Sequence, residues 1–226
     1  MKCEFKYAPQ NLDEVIYPNV AVERRIKGYG SGAIPGHVML HGPNGTGKTT
    51  TAKLLIKAIG GPDAWLDNNS YEDLLSMPNL REYLLNSAAL ARFTTSGKYF
   101  LLLNEFDNAK KNLSKFWTAL DDCGADVMAI ITTNHAMDID RSIRSRFDMI
   151  EIAGVTAIAA LPRVQYALRA EGLSLPDKQV LEYLKRYEHL MDLRKYFKVA
   201  DELLYLRDQN LPFPAWSAAA PSFKIV

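Results

Sequence analysis

Cysteine is scarce in this 226-residue chain: there are two, Cys3 and Cys123. They lie far apart, in neither a C-x-x-C nor a metal-ligand spacing. A disulfide framework is therefore not expected, and a reducing cytoplasm is the expected setting. The four histidines, His37, His41, His135 and His189, do not cluster with the cysteines, so a metal site built of protein ligands is not expected either. No charge of one sign dominates. Lys and Arg number 27 against 26 Asp and Glu, a formal net charge of +1, so no global basic field advertises nucleic acid and any DNA-binding surface must be a local patch. The chain shows no secretory leader, no apolar run long enough to span a bilayer and no internal repeat, so no membrane partner is expected.

What the chain does have is a phosphate-binding loop. Residues 42–49 read Gly42-Pro43-Asn44-Gly45-Thr46-Gly47-Lys48-Thr49, a complete G-x-x-x-x-G-K-[ST] pattern. The short apolar run Val38-Met39-Leu40 precedes it and the helical pattern Thr50–Ile56 follows, the strand–loop–helix context that the motif requires. Glycines let backbone N–H groups turn inward around an anion at the positive end of the next helix. Lys48 is placed to reach the β- and γ-phosphates, and the Thr49 hydroxyl to ligate Mg²⁺. Thr50 completes the nucleotide-contacting stretch. The chain is expected to bind a nucleoside triphosphate.

With 48% hydrophobic residues the chain can bury one full core and a small satellite domain. After the loop, apolar runs alternate with helical patterns, as expected for a parallel sheet covered on both faces. Strands are expected at Val38–Leu40, Ala64–Leu66, Tyr99–Leu103, Val127–Thr132 and Met149–Ile152, with helices at Leu80–Ala91 and Lys110–Leu120 between them. From Thr156 to about Leu206 the pattern is helical, three periodicities parted by residues 171–176 and 189–192. Pro176 is expected as the first residue of the second of these helices. The division expected is an α/β nucleotide-binding domain over 1–153, a helical lid over 154–208, and an irregular tail over 209–226 rich in proline and alanine.

A nucleotide-hydrolysing loop needs an acidic partner at the end of another buried strand: an Asp that orients Mg²⁺ and a Glu that activates water. The strand Tyr99–Leu103 runs into Asn104-Glu105-Phe106-Asp107. Glu105 stands at the water-activating position, and Asn104 where the metal-orienting Asp belongs. An amide oxygen can accept a hydrogen bond from a Mg²⁺-bound water but lacks the charge that strengthens it. Weaker metal handling and slower turnover are thus expected, with nucleotide binding retained. Taken alone, the tetrapeptide also fits a polar turn closing a buried strand. Asn134, at the end of the strand Val127–Thr132, can touch the γ-phosphate or the attacking water, or can be a turn residue. Residues 141–147 hold three arginines, Arg141, Arg144 and Arg146. They read as solvated surface or, if subunits form a ring, as the source of an arginine that reaches a neighbour's γ-phosphate. Arg194 reads as a helix-surface charge or as a phosphate contact from the lid.

In combination these residues resemble the AAA+ ATPases, and within them the clamp-loader branch that includes replication factor C small subunits and T-even-type bacteriophage loaders. The resemblance spans residues of about 6–206. Tyr7 and Pro9, in Tyr7-Ala8-Pro9 ahead of Leu12-Asp13-Glu14-Val15, look like the family segment that wraps the adenine. Asn104-Glu105-Phe106-Asp107 is similar to an Asp-Glu-Phe-Asp acidic motif. Thr133-Asn134 looks like the first sensor and Asp192-Leu193-Arg194 like the second. Ser145-Arg146-Phe147 is similar to the family's Ser-Arg-Cys, which makes Arg146 the implied trans-acting finger. The resemblance implies ATP and Mg²⁺ as ligands. Its implied partners are neighbouring AAA+ subunits in a ring or spiral, primer–template DNA, and a sliding clamp. Lys110, Lys111 and Lys115 are the residues it implies against the DNA backbone, although a solvated basic helix face accounts for them equally well. A collar domain, usual in that branch, is not expected in these 226 residues. The reading is an ATP-dependent replication switch of phage type that loads a clamp. The alternatives are a helicase loader and a nucleotide-binding scaffold with little hydrolysis.

Overall fold

A computed structural model of the chain describes residues 2–67, 71–106 and 113–214. It divides into two compact units, Pro9–Ala153 and, among the described residues, Lys2–Ala8 with Gly154–Pro214. No helix of the described residues is long and apolar enough to cross a membrane.

Among its described residues the larger unit carries five strands: β1 His37–His41, β2 Trp65–Asp67, β3 Tyr99–Leu103, β4 Val127–Thr133 and β5 Phe147–Glu151. They form one parallel sheet in the order β2-β3-β4-β1-β5. The period-2 alternation of a strand sorts the continuous apolar runs onto two faces. Leu101 and Leu103 of β3 join Met39 and Ile131 beneath Leu84, Phe116 and Leu120, which come from the helices Leu80–Ala91 and Leu113–Cys123. Phe100 and Leu102 join Val38, Leu40 and Ile130 on the opposite face, under Ile26 of helix Val20–Gly30 and Leu55 and Ile56 of helix Lys48–Gly60. Burying each large side chain contributes about 1.5–3 kcal/mol relative to exposure. The sheet is thus held between two apolar layers and its ends are left to polar loops.

β5 begins at Phe147, earlier than the Met149 start that hydropathy suggests. Phe147 is drawn into the sheet by aromatic packing, 5.5 Å from the Trp117 ring and 5.4 Å from the His37 ring between centroids. The helix Val20–Gly30 is not among the elements expected from the sequence. Its polar surface masks the buried Ile26 and Tyr29, and the Asn19 side chain caps it by accepting from Val22 N. Lys110, Lys111 and Asp107 lie outside the described residues.

Among its described residues the smaller unit holds the one-turn helix Cys3–Lys6 and three longer helices, Ala157–Ala170, Asp177–Lys185 and Leu193–Asp208. Pro176 sits one residue ahead of the second rather than inside it. Thr156 and Asp192 cap the first and third through their side chains. Residues Lys2–Ala8 cluster with the three longer helices. Cys3 N donates to Asp201 at 2.8 Å, and the Tyr7 hydroxyl donates to Glu171 at 2.6 Å. The two apolar side chains Cys3 and Tyr7 gain burial there, the second edge-on to the Tyr166 ring.

Candidate active site

At the C-terminal end of β1 the chain turns sharply. Gly42 has φ +142°, Gly45 +75° and Gly47 +88°. The turn at Gly42 admits no side chain, since a Cβ there would lie 2.3 Å from the Ile152 carbonyl oxygen. Gly42 N donates to Thr133 O at 3.3 Å, hitching the loop to the tip of β4. The buried Thr46 hydroxyl donates to Pro43 O at 3.0 Å, fixing the loop's inner turn.

The donor set fits a polyphosphate. The helix Lys48–Gly60 starts from Gly47 with no side-chain cap and no acidic residue in its first turn, so its positive end and first N–H groups face the loop uncompensated by the helix itself. Lys48 is 8% exposed, and its ammonium donates to Gly42 O at 2.8 Å and Pro43 O at 2.6 Å. The charge is thereby held inside the loop. Thr49 is half-buried at the first turn, while Pro43, Asn44 and Thr50 are exposed along the rim. Burial, opposed by Glu151 and reinforced by Lys48, keeps the adjoining His41 imidazole below its ordinary pKa, so at neutral pH it adds no second cation to the loop.

The sheet order brings the second set of residues beside this loop. β4 lies between β1 and β3, with His41 paired to Thr133 and Leu103 to Ile131. The ends of β1 and β3 are therefore two strand spacings apart, about 10 Å. Asn104 is half-buried and Glu105 is exposed at the end of β3, and Asn134 is half-buried at the end of β4. Thr132 is the residue that sequence reasoning missed here. Its hydroxyl donates to Asn104 Oδ1 at 3.3 Å and accepts from Glu105 N at 3.2 Å. A buried Thr at a strand tip beside a polar turn is the one signal that marks it.

The remaining predicted residues are elsewhere. Arg146 precedes Phe147 at the start of β5, whose partner His37 is at the opposite end of β1 from the loop. Its guanidinium grips Asp121, a partner for which the sequence carries no signal. Lys115 is exposed and donates to Met77 O at 3.3 Å. Pro9 is half-buried at the start of the larger unit. Tyr7 and Arg194 belong to the smaller unit. There Tyr7 is 8% exposed and bonded to Glu171, and Arg194 pairs with Asp192 at 3.0 Å.

The family described as "ATPase family associated with various cellular activities (AAA)" matches residues 38–155, just over half of the chain. The chain belongs to the AAA ATPase family. Among relatives of this AAA protein are a "Replication factor C small subunit 2" from Pyrobaculum islandicum, 27% identical over 176 residues, 76% of this chain and 54% of the relative. The "Sliding-clamp-loader large subunit" of Enterobacteria phage T4 is 27% identical over 205 residues, 85% of this chain and 61% of that subunit. The AAA chain thus spans about half the length of the curated relatives it matches. In fold it is similar to a Thermotoga maritima RuvB variant, with a TM-score of 0.70 at 18% identity over 91% of this chain and 68% of that one.

Proposed function

We propose that this chain is the nucleotide-driven part of a clamp-loader-like replication ATPase, which grips a sliding clamp and primer–template DNA with ATP bound and releases them on hydrolysis. One observation carries the reading: an uncapped glycine loop holding a buried lysine stands two strands from a glutamate fixed at the end of a buried strand. The sequence similarity to clamp-loader and replication factor C subunits supports the choice among replication roles. When bound, ATP with Mg²⁺ supplies the phosphoanhydride whose cleavage drives the cycle. The rest is the work of this chain's residues. The loop N–H groups and Lys48 bind the phosphates, and Thr49, with Asn104 through a water, orients the metal. Glu105 takes a proton from the attacking water, and Asn134 orients that water. Arg146 acts on the site of a neighbouring copy and Arg194 on phosphate from the helical unit.

The deciding experiment is steady-state phosphate release with and without primer–template DNA and a clamp. DNA-stimulated turnover that is lost in Glu105→Gln supports the motor. Stimulation by a replicative helicase in place of a clamp would make it a helicase loader. One observation favours a second reading, a scaffold that binds nucleotide with little hydrolysis: Asn104 presents an amide whose oxygen already accepts from Thr132. Tight ATP binding with no turnover under any condition would establish the scaffold.

A further inference from the structure

Of the three arginines between β4 and β5, Arg146 alone is ion-paired among the described residues. Its Nε lies 3.1 Å from both Asp121 oxygens and its Nη2 2.8 Å from Oδ2, a side-on bidentate pair. Nη1 donates to Ser142 O at 2.7 Å. Both supports are rigid. Asp121 stands on the helix Leu113–Cys123, which is pinned in the core by Phe116, Trp117 and Leu120. Ser142 lies in the turn Arg141–Arg144, capped by the Asp140 side chain on Ser142 N and anchored by the fully buried Ile143. A pair this exposed, 36% at Arg146 and 50% at Asp121, contributes little to stability. Its geometry is the informative part. A guanidinium has five N–H groups, and these contacts engage one each on Nε, Nη2 and Nη1, so one N–H on each terminal nitrogen remains.

We propose that Asp121 is a positioning residue for Arg146, holding the guanidinium by one edge so that its remaining N–H groups meet the γ-phosphate bound by a second copy of this chain. The proposal rests on the trans role of Arg146 given above. A long side chain free in solvent would have to lose its rotamer freedom each time a neighbour docked. A side chain clamped at Nε and Nη1 has lost that freedom before the encounter, which is how preorganised charge gains its effect on a transition state. Asp121 touches no substrate and acts through Arg146.

The test uses the whole chain with Asp121→Ala, Asp121→Glu and Arg146→Ala, alone and combined. Three quantities are read: exchange of the Arg146 Nε–H by NMR, self-association with Mg²⁺ and a non-hydrolysable ATP analogue, and DNA-stimulated phosphate release. Asp121→Ala is expected to lose the slowly exchanging Nε–H signal. It should slow turnover by about ten- to a hundredfold, the range expected for a misplaced reacting group, with ATP affinity unchanged. It should also weaken self-association, and Asp121→Glu should restore part of both losses. In the Arg146→Ala background the same change should cost nothing further, the signature of residues acting as one unit. If Arg146→Ala is defective while Asp121→Ala turns over at the wild-type rate or faster, the positioning role is overturned, the faster case marking Asp121 as a restraint instead. If Arg146→Ala associates and hydrolyses like the wild type, or the wild-type chain does neither, the trans reading itself falls and the proposal with it.

Discussion

The backbone amide of Glu105 donates to the Thr132 hydroxyl at 3.2 Å, and Glu105 itself sits in the left-handed region with φ +53°. A non-glycine residue there costs on the order of 1–3 kcal/mol and persists only where its surroundings hold it. Thr132 does so through two groups. Its hydroxyl also reaches Asn104, and its carbonyl accepts from Phe106 N at 2.9 Å. One buried residue on β4 therefore fixes three consecutive residues at the end of β3, two through its hydroxyl and one through its carbonyl.

Thr132→Val should keep the shape and remove the hydroxyl. Of the two hydrogen bonds lost, the one from Glu105 N is worth about 1 kcal/mol, so hydrolysis should fall roughly five- to tenfold as Glu105 relaxes. ATP affinity should stay put, because the phosphate loop is untouched. Single-turnover kinetics beside calorimetric titration separates the two effects, and an unaltered rate would show that Thr132 does not set the posture of Glu105.

Asn104→Asp tests the departure in the acidic motif. The new carboxylate should accept the Thr132 hydroxyl as the amide does and add a charge-assisted hold on a metal-bound water, worth roughly twice a neutral contact. The Mg²⁺ concentration for half-maximal turnover should fall, or the maximal rate should rise. If a Mg²⁺ titration of the rate superposes on that of the wild type, the amide is already compensated.

How much of this was legible in the sequence follows from which forces are local. β3 and β4 announce themselves because a parallel strand covered on both faces is an unbroken apolar run, and Tyr99–Leu103 is buried throughout. The phosphate loop is legible because its glycines are demanded by backbone geometry, as the Ile152 carbonyl against Gly42 makes concrete. The pairing of Arg146 with Asp121 and the anchoring of Cys3 to Asp201 are not legible. The first joins two surface charges on different elements and the second a buried residue's backbone N–H to a carboxylate 198 positions away, and no periodicity records which groups a fold will bring together. Thr132 falls between these cases, its burial legible and its bonds not.

Gly42→Ala should fail for a steric reason. The added methyl would meet a backbone carbonyl, which cannot rotate away as a side chain can, and the φ of +142° is itself unfavourable for alanine. A destabilisation of about 2–4 kcal/mol is expected, the range for strain at a special backbone position. Thermal unfolding should show it as a clear drop in Tm. A Tm within experimental error of the wild type would mean that the loop and Ile152 can part without cost.

The Asp121 carboxyl is held below its ordinary range chiefly by its hydrogen bonds to Arg146. A depressed folded value means that the pair's contribution is complete above the ordinary carboxylate pKa of about 3.9 and is lost as pH falls through the lower folded value. The Arg146 Nε–H signal should therefore persist on titration from neutral pH to about 4 and fade only below it. Fading already at or above about pH 4 would mean that the guanidinium does not hold the carboxyl below its ordinary range.

Arg146 and Lys48 should be separable by mixing. Lys48 lies within the loop of its own subunit, its ammonium on the Gly42 and Pro43 carbonyls, so Lys48→Ala should weaken ATP binding at least about tenfold, or 1.4 kcal/mol. Arg146 stands at the opposite end of the sheet, so Arg146→Ala should bind ATP nearly as the wild type does. In the assembly it should nonetheless lose hydrolysis by orders of magnitude, since trans arginines contribute about 10³–10⁵ where they act. Each variant alone should then be inactive for a different reason. Mixed, an Arg146→Ala subunit has an intact pocket, and a Lys48→Ala neighbour can supply the missing arginine, so partial activity should return in proportion to the fraction of such mixed interfaces. Light scattering must show that the two variants co-assemble. If they do and no activity returns at any ratio, Arg146 does not act across the interface, and its clasp on Asp121 is a surface ion pair within one chain.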